Sequence, residues 1–237
     1  MGQWPVVCTM RRLITVILLC WSFPLAAQEY PWLADVESIP TQKLESRFDV
    51  PEGFTRIEGP KDGYQSWLRG LPVRTDRTRV LTHRGEPISA PSAGVILIDL
   101  GTRNLQQCAD SAIRLHAEYH WQRGEADRLG YHFTSGDLST WKAWRRGERF
   151  SIKGSKVKRV RGRARKSSHD EFRSYLNNVF RYAGTRSLWR DSDEVKGPIE
   201  GGDFFVQGGS PGHAVVVLDV AAHADGRRVA LLGQGFL

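Results

Sequence analysis

The chain has 237 residues, 40% of them hydrophobic and 25% charged, which is enough for one sizeable core and argues against a fibrous or disordered protein. Its formal net charge of +8 and pI of about 9.7 draw it toward anionic surfaces and polymers. No apolar run reaches the roughly 20 residues that span a bilayer, which speaks against a permanent membrane helix.

The first element is Leu13 to Leu19, which follows Arg11 and Arg12 and ends near Ser22, Phe23 and Pro24, then Leu25-Ala26-Ala27. A positive start, a short apolar middle and a small-residue exit predict a cleavable signal peptide over residues 1–27, and hence a secreted or periplasmic protein. Leu19 is not the small residue that a lipidation site at Cys20 wants. Removing residues 1–27 takes away two arginines and no acids, which leaves a charge of +6 and Cys108 as the one remaining cysteine. Such a thiol has no partner for an internal disulfide in an oxidising compartment.

Residues 28–50 mix prolines, acids and aromatics without a period and read as an extended lead segment lying over a single domain, 51–237. Tyr64 to Leu71 carries Trp67, Leu68 and Leu71 at helical spacing and is closed by Gly70 and Pro72. Ala93 to Leu100, aliphatic and β-branched, predicts a buried strand. The clearest helix runs from Leu105 to Gln122, with Asn104 as N-cap and Gln107 three residues on. Its apolar stripe at 105, 108, 109, 112, 115, 116 and 119 turns Cys108 inward. A short strand at Tyr131 to Thr134 and a Ser135-Gly136-Asp137 turn lead to a helix bearing Trp141 and Trp144.

The stretch from Arg145 to Lys166 holds eleven Lys or Arg against Glu148 alone, a surplus of +10 that leaves the rest of the chain slightly acidic. It reads either as a solvated excursion or as a contact for an anionic polymer. Phe172 to Tyr182 is an amphipathic helix stopped by Gly184. Phe204 to Gln207, Ala214 to Val220 and Val229 to Gln234 predict three consecutive strands, joined by the glycine loop 208–212 and an Asp225-Gly226 turn. The chain stops at Phe236-Leu237, directly after a strand, an ending that admits a C-terminally truncated domain.

A cysteine in the first turn of a helix lies near unsatisfied backbone N–H groups and the positive end of the helix dipole, both of which stabilise a thiolate. Burial as a small hydrophobe is the commoner fate of a lone cysteine, so a catalytic role needs a base. His116 and His120 share the helix at distances of about 12 and 18 Å along its axis and cannot serve. His213 stands where the glycine loop enters a buried strand, and an Asp225-Gly226 hairpin brings it close to Gln234, which can orient the ring.

Cys108 at a helix start, then Gly202-Asp203-Phe204-Phe205-Val206, a glycine loop and Gly212-His213-Ala214-Val215-Val216-Val217, resembles the order of parts in papain-like cell-wall hydrolases of the NlpC and CHAP type. The resemblance implies an α+β fold in which a helix with an N-terminal cysteine packs on an antiparallel sheet, with Cys108 as nucleophile, His213 as base and Gln234 as orienter. It departs from those hydrolases in its Gln107-Cys108-Ala109 setting and in the large basic insertion between Cys108 and His213. Over roughly residues 50–237 the chain more closely resembles an exported bacterial family known only as a domain of unknown function. Trp67-Leu68-Arg69, Leu105 to Asp110, Phe133-Thr134-Ser135-Gly136 and Gly202 to Asp219 carry that likeness.

Other candidates are weaker. His116 and His120, spaced i, i+4 around Glu118, share a face suited to a metal but lack a third ligand, and no cofactor is implied. Ser135 does not match a nucleophile elbow, and Gly202-Asp203 reads as a turn. The arginines lack interleaved aromatics, so nucleic acid is not an expected partner. Two readings remain: an exported cysteine hydrolase acting on amide bonds in the cell envelope, and a non-catalytic binding protein whose basic face holds peptidoglycan or another anionic envelope polymer. Oligomeric state is not legible.

Overall fold

A buried carboxylate, Asp219, ties the ends of the domain together. The computed structural model describes residues 30–33, 38–154 and 156–235; the expected signal peptide lies outside them. In chain order the elements are β1 (Thr41–Lys43), α1 (Leu44–Arg47), β2 (Phe54–Arg56), α2 (Tyr64–Arg69), β3 (Pro72–Arg74), α3 (Cys108–Gln122), β4 (Gly130–His132), β5 (Leu138–Thr140) and α4 (Trp141–Arg145). There follow β6 (Glu148–Lys153), β7 (Lys156–Arg161), α5 (His169–Tyr182), α6 (Thr185–Arg190), β8 (Phe204–Gln207), β9 (His213–His223) and β10 (Arg228–Gly233). Helix takes 28% and strand 25%, and every strand pairing is antiparallel, so the fold is α+β. Among the described residues no helix is long and apolar enough to cross a membrane.

Strand β9 is the axis of the main sheet. It pairs β10 along one edge, and β8 and β2 share the other. Residues 216–221 are buried without alternation because α2 and α3 pack against the same strand, which is why the sequence there is aliphatic apart from Asp219. One irregularity interrupts it: Leu231 faces Asp219 but Leu232 faces Val217, so Leu218 is the extra residue of a bulge.

Beside the bulge, Asp219 accepts from Arg56 Nε on β2 and from Arg69 Nε on α2, both at 2.7 Å. Arg69 also donates to the Ile57 carbonyl at 2.6 Å, and Arg56 donates to the Glu45 and Phe48 carbonyls at 2.8 and 2.5 Å. Asp219 and Arg69 are both 5% exposed, so neither charge has water to fall back on.

The described residues of the segment at 28–50, expected as an extended lead lying over the domain, pack against it. Tyr30, Trp32 and Leu44 are buried, Tyr30 Oη donates to the Trp67 carbonyl and Trp32 Nε1 to that of Leu97, each at 2.8 Å, and β1 pairs β3. Ala93 to Leu100 is not a full strand; it meets β3 only at a bridge between Ile96 and Val73, flanked by bonds from Arg74 N to Val95 O and from Leu97 N to Pro72 O. Much of the basic stretch has regular structure. Residues 148–161 form the β6–β7 hairpin, rooted by Phe150 against Phe133 and by Arg149, whose guanidinium lies 3.7 Å from the Trp144 ring centre. At the hairpin root Gly147 has φ +96°, and a Cβ there would stand 2.4 Å from the Gly162 carbonyl, so only glycine lets the two strands cross.

Helix α5 follows its predicted pattern, burying Phe172, Tyr175, Leu176, Val179 and Phe180, with Ser168 as N-cap. Its Phe172 stacks on Trp121 of α3 at 4.7 Å and meets Trp141 of α4 edge-on at 5.3 Å, which locks the three helices together. Helix α3 starts three residues later than its sequence suggests. Gln107 is the N-cap of a complete capping box with Asp110, whose Oδ2 accepts from the Gln107 N–H at 3.0 Å. Burial raises the Asp110 carboxyl to about 6, although the backbone N–H groups of Gln107 and Gln106 pull the other way.

Two outcomes follow for stability. Asp219→Asn strips the buried Arg69 of its counter-charge, and urea unfolding should show a loss of about 3–5 kcal/mol at unchanged m-value; a loss below about 1 kcal/mol would contradict the role given to this carboxylate. Asp110 holds its proton more tightly folded than unfolded, so its contribution favours folding at low pH and is lost as pH rises from about 4 to about 6. Asp110→Asn keeps the acceptor oxygen and should remove a pH-dependent loss of about 2–3 kcal/mol, read by comparing urea midpoints of both proteins at pH 4 and pH 7.

Candidate functional site

The residue before the N-cap of α3 sets the geometry of the helix start. Gln106 has φ 69°, the left-handed region that a side chain with a Cβ rarely adopts, and is 4% exposed. Its side chain is held, since Oε1 accepts from Arg114 Nη1 at 2.8 Å. The backbone therefore turns sharply at 106, and Cys108 becomes the first residue of α3, half-buried and packed against the core. The capping box satisfies the Asp110 N–H through the Gln107 side chain, while the first N–H groups of any helix lack partners within it.

Arg114 is fully buried. It donates to Glu118 Oε1 at 2.7 Å and to the Asp99 carbonyl at 3.0 Å, and pairs with Asp99 Oδ1 at 2.5 Å; its guanidinium faces Trp32 at 5.4 Å. Glu118 in turn meets His169 Nε2 at 2.9 Å, and Arg173 reaches Asp99 at 3.1 Å. Burial and the neighbouring Arg114 lower Arg173 to about 10.

On the sheet side, His213 opens β9 and its ring is exposed. Its Nε2 lies 2.6 Å from Gln234 Oε1, directly after β10. An amide oxygen only accepts, so in the neutral ring Nε2 carries the hydrogen and Nδ1 keeps the lone pair. Gly235 joins the two halves. A Cβ at this position would stand 2.2 Å from Ser111 Oγ, 2.8 Å from the Gln107 carbonyl and 3.0 Å from that of Gln106, so glycine alone lets the chain lie on the first turn of α3. Gln234, bonded to His213, is thereby carried to the helix end that begins with Cys108.

The other sequence candidates go elsewhere. The rings of His116 and His120 lie 4.6 Å apart, but His116 Nδ1 is bonded to Tyr131 Oη and His120 Nδ1 to Glu125 Oε2, each at 2.9 Å, while Glu118 is turned into the core. Among the described residues no three His, Cys, Asp or Glu come together as a metal site. Ser135 donates to Asp137 at 2.8 Å in an exposed turn. Asp203 closes the turn before β8 by accepting from the Glu200 N–H at 2.8 Å.

Sequence reasoning missed Gln106, Arg114 and Gly235, which shape the helix start. Only Gly235 left a signal, as a second glycine flanking Gln234 where a strand ends. No curated protein and no solved structure matches the chain. From Leu44, sealed in the core, through the helix that opens at Cys108 to the His213–Gln234 pair, residues 44–237 match the family model described as "Domain of unknown function (4846)", and the chain belongs to that family.

Proposed function

We propose that the protein is an exported, papain-like cysteine hydrolase that cleaves amide bonds in the cell envelope. The observation that carries the reading is the 2.6 Å bond from His213 Nε2 to Gln234 Oε1, which leaves Nδ1 as a proton acceptor on an exposed ring. Gly235, pressed on the first turn of α3, supports it by linking that ring to the helix headed by Cys108.

His213 takes the Cys108 proton, and the thiolate is stabilised by its place at the positive end of α3. Sulfur attacks the carbonyl carbon, and the oxyanion is held by backbone N–H groups at the helix start. The tetrahedral adduct collapses to a thioester as the C–N bond breaks and the imidazolium returns the proton to the leaving amine. Water, deprotonated by the same ring, then releases the acid and regenerates the thiol. Gln234 acts as a positioning residue that fixes the tautomer.

A second reading keeps the fold and dispenses with the chemistry: a protein that holds peptidoglycan or another anionic envelope polymer. It is favoured by the β6–β7 hairpin, where Lys153 faces Lys156 across the tip and Lys158, Arg159 and Arg161 are exposed. The two readings separate experimentally.

In protein lacking residues 1–27 Cys108 is the sole thiol, so its alkylation by iodoacetamide reports on one site. At neutral pH the folded protein should be alkylated clearly faster than the same thiol in urea, and His213→Ala should slow the folded protein to the unfolded rate. Equal rates in all three samples end the hydrolase reading. Cys108→Ala should abolish amine release from envelope peptides, and Gln234→Ala should lower kcat by about 10- to 100-fold with little change in KM. For the binding reading, Lys153→Glu with Lys156→Glu and Lys158→Glu should elute from an immobilised polyanion at clearly lower salt than the parent, and equal elution would refute it.

A further inference from the structure

A pocket of about 410 Å3 lies between β10 and the irregular segment that follows β3, within the range of about 300–1,000 Å3 usual for small-molecule sites. Its walls are largely aliphatic, with Val73, Leu115, Leu218 and Leu231 among them. One end is bounded by Gln106, Ser111 and Gln234, the residues around the first turn of α3 and the His213 ring. Cys108 does not line it; the pocket reaches the start of α3 through Gln106 and Ser111.

Two arginines also line it, and they differ. Arg74 is closed off by Asp76, which accepts from its Nε at 2.8 Å and its Nη2 at 2.5 Å. Arg77 has no such partner among the described residues: its Nε is buried and makes no hydrogen bond. The Arg77 charge acts on Asp76, whose carboxylate is bonded to Arg74, so the shielded Arg77 Nε keeps no acceptor, and a planar carboxylate is the group its fork matches. The aliphatic walls disfavour sugars, whose hydroxyls would be left unpaired there.

We propose that this pocket is a substrate subsite beside Gln234, and that it takes an aliphatic chain ending in a carboxylate. The chain lies on the walls formed by Val73, Leu115, Leu218 and Leu231, and the carboxylate pairs with Arg77. The inference deepens the hydrolase reading and rests on it for which end of the ligand faces the thiol.

Calorimetric titration of the Cys108→Ala protein with octanoate tests it. Saturable binding is expected, weakened about tenfold or more by Arg77→Gln, by Leu81→Trp at the pocket wall, and by replacing octanoate with neutral octanamide. An unchanged thermal midpoint and near-ultraviolet spectrum in Arg77→Gln ensure that lost binding is not lost folding. Absence of saturable octanoate binding, or equal binding in Arg77→Gln, overturns the proposal. The titrated protein lacks the nucleophile, so failure of the hydrolase chemistry leaves a positive titration standing. A protein that cleaves amides yet ignores octanoate overturns the subsite alone.

Discussion

A buried guanidinium organises the helix start. Arg114 has no access to water, so its charge is tolerable only if acceptors surround it, and Asp99, Gln106 and Glu118 supply them from three parts of the chain. Trp32 covers its face. Each partner is fixed by that bond: the segment before α3 through Asp99, the left-handed residue through Gln106, and α5 through Glu118 and His169. Strain at Gln106 persists because moving the residue would strand a buried donor. The turn that makes Cys108 the first residue of α3 is thus held by a side chain six positions further along the helix.

Asp219 does comparable work on the central strand, drawing β2 and α2 onto β9 through two arginines. The two ionic centres divide the structure between them. One aligns the helix end, the other holds the layers that cover the central strand. Between them β9 is buried on both faces, which leaves its first residue, His213, as the place where the strand emerges into solvent. A rigid strand ending at the surface presents an imidazole in one orientation, and the hydrogen bond to Gln234 removes the remaining freedom.

Much of the architecture was legible because it is periodic. Helix α5 and the three closing strands follow from apolar spacing, and the Asp225-Gly226 turn sets the hairpin in which His213 and Gln234 meet. The start of α3 was not legible, because Asn104 is a good cap in isolation and only the tertiary bond from Arg114 selects Gln107 instead. The aliphatic run at 93–100 has strand composition, yet it touches β3 at a single bridge and otherwise forms pocket wall, so it is half-buried and largely unpaired. In residues 148–161 the alternation of Phe150 and Ile152, with Val157 opposite Ile152, was masked by the surrounding charge.

The distribution of charge completes the picture. The basic surplus of residues 145–166 exceeds that of the whole chain, so long-range attraction to anions belongs almost entirely to one hairpin and the residues that flank it. That hairpin is rooted by Arg149 on Trp144 and by Phe150 on Phe133, and neither contact involves α3, β9 or β10. Attraction and the proposed chemistry can therefore be altered separately: removing lysines at the tip leaves the helix start untouched, and changes at Cys108, His213 or Gln234 leave the basic face in place.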